Sequence, residues 1–350
     1  MGRREEPRDR RRHRRRRRRN MGPLLLVLLL VLVAAMALLL NSCGQDQGND
    51  GNAGGAPAGG EDNGADSGNA GGTDQQDPPE DETGAQEPEV PADPYDGYEI
   101  LTMTEEDMAV GEQILVSNEH MYSFPEAAES QLVLLVDNKS SSYTSNVNDT
   151  LILPVAVEHL NQMLDDYVAQ GGATDIMVVS GYRTYDFQQG LFDRNAARNG
   201  IENARRYVAQ AGGSEHHTGY AVDLYSTNNG DYFEGVGEYA WVTDHCHEYG
   251  FILRYTEEKE PITKIGPESW HFRYVGVPHS YIVVENDFCY EEYIDYLRQF
   301  PFDGEHLFYT VGDQEYEIYF VEGLEVPVPE GGEYTVSGNN VDGFIVTITK

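Results

Sequence analysis

"SEHHTGYAVDLY", Ser214–Tyr225, sets two adjacent histidines, a glycine and an aspartate in one short turn-to-strand stretch. A hydrolytic zinc site commonly takes three protein ligands from His, Asp and Glu and keeps a fourth position open. This stretch offers His216, His217 and Asp223. A second, "GPESWHFRYVG", Gly266–Gly276, offers Glu268 and His271. Gly219 and Ala221 are small, which lets the backbone turn tightly between the candidate ligands.

Around these stretches the pattern is that of strands mixed with helices. "QLVLLV" (131–136) and "DIMVVSG" (175–181) read as strands. "LPVAVEHLNQMLDDYVAQGG" reads as a helix that ends at Gly171, and "TYDFQQGLFDRNAARNG" as a second, with Thr184 as N-cap and Gly200 at its end. "EYAWVTDHCHEYG" reads as a third. Without regular βαβ alternation this predicts an α+β fold. Beyond residue 303, "HLFYTV", "EYEIYFV" and "GFIVTIT" are short alternating strands. They predict a small β-rich appendage over 304–350, after a main domain over 98–303.

The N-terminal third is different. The first twenty residues hold twelve of the 24 lysines and arginines, and the net charge of the chain is −36. An arginine run can bind nucleic acid, but this one abuts "LLLVLLLVLVAAMALLL", Leu24–Leu40. That context favours a basic cytoplasmic region, 1–20, before a membrane segment, 21–43, and no nucleic-acid partner is expected. The following "LNSC" is similar to a lipoprotein cleavage motif, with Cys43 as the lipidated residue; an uncleaved anchor is the alternative. Both put the remainder on the outer face of a bacterial membrane. Residues 44–97, rich in Gly, Asp and Pro, bury too little apolar surface to fold and are expected to form a disordered spacer, roughly 40 Å in root-mean-square span.

Three stretches, in this order, carry a resemblance: "SGYRTYDFQQGLF", "SEHHTGYAVDLY" and "GPESWHFRYVG". They resemble the S-G-Y-R-S-Y-x-x-Q, S-x-H-x-x-G-x-A-x-D and E-x-W-H motifs of the VanY-type zinc D,D-/L,D-carboxypeptidases. The resemblance spans residues 112–300 and implies a small mixed sheet with flanking helices around a zinc cleft, as in D-Ala-D-Ala peptidases and the hedgehog domain. It implies one zinc ion held by His216, Asp223 and His271, with His217 only a neighbour. Glu268 is then the general base. Arg183 is placed in the catalytic cleft to read a substrate carboxylate, and Gln188, Ser214 and Trp270 are placed against the substrate. The implied substrates are peptidoglycan stem peptides, with no obligate protein partner.

The residue types suit that chemistry. Two neutral imidazoles and one carboxylate leave zinc a net charge near +1, enough to acidify a bound water. A carboxylate three residues before His271 can serve as proton acceptor. A guanidinium can grip a chain-end carboxylate with two hydrogen bonds. Cleavage of a D,D bond is the expected activity. An L,D specificity, an endopeptidase on the same fold and a non-catalytic wall-binding module with structural zinc are the alternatives; Glu268 speaks against the last. His245, His247 and His279 are expected to be structural. Cys246 and Cys289 are read as buried thiols, a disulfide being the alternative.

Overall fold

A computed structural model describes residues 95–125 and 127–350. The basic run, the apolar run with Cys43 and the spacer up to residue 94 lie outside the described residues. Among the described residues, no helix is long and apolar enough to cross a membrane.

The chain enters through β1 (Tyr98–Thr102) and later forms a two-stranded sheet from β2 (Val133–Leu134) and β4 (Leu151–Ile152). The strand predicted over 131–136 is therefore cut to two residues. From Leu135 the chain coils into a single helical turn whose first residue is fully buried. An apolar run by itself cannot separate a strand from a buried turn of helix.

The main sheet has the order β3 (Thr144–Ser145), β5 (Ile176–Ser180), β6 (Ala221–Ser226), β9 (Glu268–Tyr274), β8 (Phe251–Tyr255), with β7 (Asp231–Tyr232) paired to β6. The β3–β5 pair is parallel and the other pairs are antiparallel. Helix α1 (Pro154–Ala169) begins with proline at a first-turn position, where no amide hydrogen is missed. It buries Ala156, Val157, Leu160, Met163, Leu164 and Tyr167, one helical face. This face packs with Val178, Val222, Leu224 and Phe272 of the sheet. As predicted, the helix stops near Gly171, whose φ of 93° is left-handed.

Helix α2 (Tyr185–Asn199) has the predicted cap: the Thr184 hydroxyl accepts from the Phe187 amide, and Gly200 ends the helix. Helix α3 (Ile201–Tyr207) follows directly. The third predicted helix is α4 (Ala240–His245), which tightens into a 3₁₀ turn ended by Gly250. Helices α5 (His279–Glu285) and α6 (Tyr290–Leu297) complete the helical set used below. Cys246 and Cys289 are buried free thiols, and Cys289 caps α6.

The C-terminal strands form as predicted, but they are not set apart from the main domain. Strands β10 (Leu307–Val311), β11 (Gln314–Glu322), β14 (Gly343–Thr349) and β13 (Glu333–Gly338) make one antiparallel sheet. Ile318, Phe320 and Ile345 on one face share a core with Ile282, Tyr290, Tyr293 and Ile294 of α5 and α6. Tyr319, Val321, Phe344 and Val346 form a core on the other face with β12 (Glu325–Pro329), which pairs with β1. A sheet buried on both faces belongs to the domain it packs on. The boundary expected at residue 303 is thus not a domain boundary.

His279 ties these parts together. Its Nδ1 lies 2.6 Å from the Tyr293 hydroxyl and its Nε2 3.0 Å from the Thr347 hydroxyl. Burial lowers its pKa to about 3, so the ring is neutral in the folded protein. The unfolded chain takes up this proton near pH 6.5 and the folded one does not. Stability should therefore fall as pH drops from about 6.5 towards 3, by about 1.4 kcal/mol per pH unit from this group. Denaturant titrations across that range should show a shallower fall in His279→Gln; equal slopes in both proteins would remove this role.

Candidate active site

The central strands deliver two of the candidate ligands as one cross-strand pair: Asp223 on β6 lies opposite His271 on β9. Directly opposed residues share a face of the sheet. His216 comes from the 3₁₀ turn Glu215–Thr218 just before β6. Gly219 ends that turn at φ 78°, and a Cβ there would lie 2.6 Å from Leu132 Cδ2, so only glycine fits. His216, Asp223 and His271 each offer a ligand atom, all within 4.8 Å of one another, and all three residues are buried.

The two neighbouring histidines are told apart by their hydrogen bonds. His217 Nδ1 donates to the Arg183 carbonyl at 2.7 Å, and its Nε2 accepts from the Gly212 amide at 3.0 Å. Both nitrogens are spent. His216 Nδ1 donates to the Gly181 carbonyl at 2.7 Å, which leaves a lone pair on Nε2. That nitrogen is buried and has no hydrogen-bond partner. It lies 3.2 Å from Asp223 Oδ2, outside hydrogen-bonding geometry. Burial, aided by the Arg183 charge, lowers the His216 pKa to about 4, so the ring is neutral. A lone pair thus faces a carboxylate oxygen in a buried site, an arrangement that a cation between them would resolve.

His271 has a carboxylate at each end, Asp223 Oδ1 3.2 Å from Nδ1 and Glu215 Oε2 3.2 Å from Nε2. Burial opposes charge on this ring, but the two carboxylates prevail and raise its pKa to about 9. The pocket therefore selects positive charge at this position. Glu268 Oε2 lies 3.7 Å from His271 Nδ1. In a regular strand residues 268 and 271 would face opposite sides. The register shift that pairs Leu253 with Phe272 but Tyr255 with Glu268 turns both side chains into one cleft. Burial raises the Glu268 pKa to about 7.

Arg183 leaves the end of β5 and reaches Asp223 Oδ2 with Nη2 at 2.5 Å. Its Nε donates to the Ser180 hydroxyl at 2.8 Å and Nη1 to Gln188 Oε1 at 3.3 Å. The Arg183 amide bonds the His216 carbonyl, so this loop and the histidine turn are stitched together. Gln188 is buried, and its Nε2 donates to the Ala209 carbonyl at 2.7 Å. Ser214 and Trp270 line the same cleft, of about 440 Å³, with the Trp270 ring 4.7 Å from that of Tyr232. All eight residues singled out in the described part of the sequence therefore converge. His245, His247 and His279 do not line this cleft.

Three charged residues behind the site were not singled out. Glu215, fully buried, accepts from Arg254 Nε at 2.8 Å, Arg273 Nη1 at 3.2 Å and the His271 ring. Arg254 also grips Glu291 of α6 with both terminal nitrogens, at 2.7 and 2.9 Å. The available signal was an arginine inside each of two otherwise apolar or aromatic strands, "FILRY" and "HFRYV". Such a residue is buried only when it is paired.

Known proteins are similar to this chain in sequence and in fold. The VanY D-alanyl-D-alanine carboxypeptidase family matches residues 150–277. A D-alanyl-D-alanine carboxypeptidase of Enterococcus faecium is 33% identical over 252 residues, 71% of this chain and 78% of the relative. The chain belongs to the VanY family. Another relative, the bifunctional D-Ala-D-Ala dipeptidase and D-Ala-D-Ala carboxypeptidase VanXYC of Enterococcus gallinarum, is 39% identical over 137 residues, 37% of this VanY-family chain and 72% of the relative. Among solved structures, the vancomycin resistance D,D-dipeptidase VanXYg in complex with a D-Ala-D-Ala phosphinate analog is similar, with a TM-score of 0.64 and 30% identity. The similarity covers 72% of this chain and 99% of that one.

The difference between the adjacent histidines can be measured. His216→Ala should lose most of its bound divalent metal, assayed by elemental analysis of the purified protein, while His217→Ala should keep it. Equal loss in both would mean that the Nε2 lone pair of His216 is not the ligand.

Proposed function

We propose that this protein is a zinc carboxypeptidase that removes the C-terminal D-alanine from peptidoglycan stem peptides, acting on the D,D bond, outside the cytoplasmic membrane. The observation that carries the metal is the unpartnered Nε2 of His216 facing Asp223 in a buried site. His216, Asp223 and His271 hold one zinc ion, and the N and O donor set suits zinc. Zinc in that position supplies a Lewis acid for the scissile carbonyl and lowers the pKa of the attacking water.

The chain's own groups do the rest. Glu268 takes the proton of the attacking water on a carboxylate oxygen and returns it to the leaving amine. Burial favours the neutral form of this carboxyl and a nearby cation its carboxylate form, which suits a group that must accept a proton and then release it. Glu215 accepts the Nε2 hydrogen of His271 and keeps Nδ1 turned towards the cleft. Three of the five N–H donors of Arg183 are spent on Ser180, Gln188 and Asp223. Two remain for the C-terminal carboxylate of the substrate. Gln188 steadies that guanidinium from below, and Ser214 and Trp270 bound the substrate.

Support for the substrate comes from the relatives, named for D-Ala-D-Ala carboxypeptidase and dipeptidase activities. Support for the location is the apolar run after a basic one at the N-terminus, with Cys43 as the lipidation site if the segment is cleaved.

Two experiments test this reading. Glu268→Gln should keep stoichiometric zinc and lose turnover by about 100-fold or more; near-normal turnover would remove Glu268 as the base. Wild-type protein should release one D-alanine from a synthetic stem pentapeptide and leave the tetrapeptide intact, read by mass spectrometry. Release from the tetrapeptide would mean L,D activity, and cleavage of free D-Ala-D-Ala alone would mean a dipeptidase. For location, protease added to intact cells should degrade the folded domain. Full protection in intact cells would place it inside.

A further inference from the structure

Twelve lysines and arginines lie in residues 139–350. Ten of them hold an acid or a carbonyl oxygen, from the buried pair Arg254–Glu215 to the exposed pair Arg205–Glu202. Among the described residues, Arg194 and Arg198 are the two cations with neither an ion pair nor a hydrogen bond. This is unexpected in a chain with a net charge of −36, whose remainder past the first twenty residues holds far more carboxylates than bases.

Both arginines line the cleft that holds His216, Glu268 and His271. They stand on α2, four residues apart, so their like charges repel each other on one helix face. Arg198 gains something from the helix C-terminus, but Arg194 lies in the helix interior and does not. The same face carries Gln188, which touches Arg183, and then Leu191, Asn195 and Asn199. The helix therefore runs from the reacting end of the cleft outward. At about 1.5 Å per residue, Arg194 lies about 9 Å and Arg198 about 15 Å along the axis from Gln188. An extended peptide covers that length in about three to five residues.

We propose that Arg194 and Arg198 form a subsite for a free carboxylate carried by the peptide upstream of the scissile bond. The ligand class is an acidic peptide, and a peptide with that carboxylate amidated should be disfavoured. The inference rests on the peptidase reading above. It adds a second recognition point, separate from the chain-end carboxylate assigned to Arg183.

The test compares two tetrapeptides, L-Ala-γ-D-Glu-L-Lys-D-Ala and the same peptide with the glutamyl α-carboxylate amidated, in which that group stands two residues and a γ-linkage before the chain end, about 12 Å when extended. Their binding to zinc-loaded protein is measured by calorimetry. Both share the same C-terminal carboxylate, so the ratio of their affinities isolates the upstream group. The wild type should bind the free acid about 2- to 10-fold more tightly, as expected for charged contacts made by two exposed arginines. The double variant Arg194→Gln/Arg198→Gln should bind both alike, and the Arg194→Lys/Arg198→Lys protein should fall between, because it keeps charge but not the planar fork. Equal binding of the two peptides by the wild type, or an unchanged ratio in the glutamine variant, overturns the proposal. D-alanine release from the corresponding pentapeptides by the wild type is scored separately. Its absence would count against the peptidase reading alone, since the binding ratio does not depend on turnover.

Discussion

Glu215 is the constraint on which the rest of this structure depends. One fully buried carboxylate accepts hydrogen bonds from Arg254 on β8, Arg273 on β9 and the ring of His271. The arginines extend the network outward. Arg254 reaches Glu291 on α6, and Arg273 reaches the Glu112 and Ile114 carbonyls of the segment that follows β1. Site, C-terminal helices and N-terminal segment are thus joined through a single charge cluster. Burying such charges yields little net stability, but removing one partner strands the others in a dry interior, at about 3–5 kcal/mol. The network sets geometry more than it adds stability, and the geometry it sets is the orientation of His271.

Once that ring is oriented, the site follows from strand register. The opposition of Asp223 and His271 brings two candidate ligand groups to one face, and the histidine turn closed by Gly219 supplies the third. His217, with both ring nitrogens committed to backbone groups, anchors this turn to the Arg183 loop and to Gly212. The adjacent histidines are a division of labour: one ring holds the loop in place and its neighbour presents a lone pair.

The C-terminal strands show how a local pattern can mislead about domain structure. Alternation in "EYEIYFV" marks a strand correctly. It does not say that Ile318 and Phe320 pack on α5 and α6 while Tyr319 and Val321 face β12. Strand β1 adds to this, because it pairs with β12 from more than two hundred residues away in the chain. A terminal segment that shares a core with the preceding helices is part of the domain, whatever its composition suggests.

Much of the site was legible in the chain itself. The three motif stretches carry every residue assigned to the metal, the base and the scissile end of the substrate, because such groups come from turns and strand ends whose local spacing is fixed by backbone geometry. Helix ends were equally legible at Thr184 and Gly171, where a hydroxyl cap and a left-handed glycine act within a few residues. Other features required the fold. Which nitrogen of which histidine is free depends on the carbonyls of Gly181 and Arg183, more than thirty residues away. The roles of Glu215, Arg254 and Arg273 arise only when three elements exclude water from between them, since a charge is forced to find partners by burial and burial is a tertiary property. The unpartnered state of Arg194 and Arg198 belongs to the same class, because a cation shows itself as unspent only when every carboxylate around it has been placed.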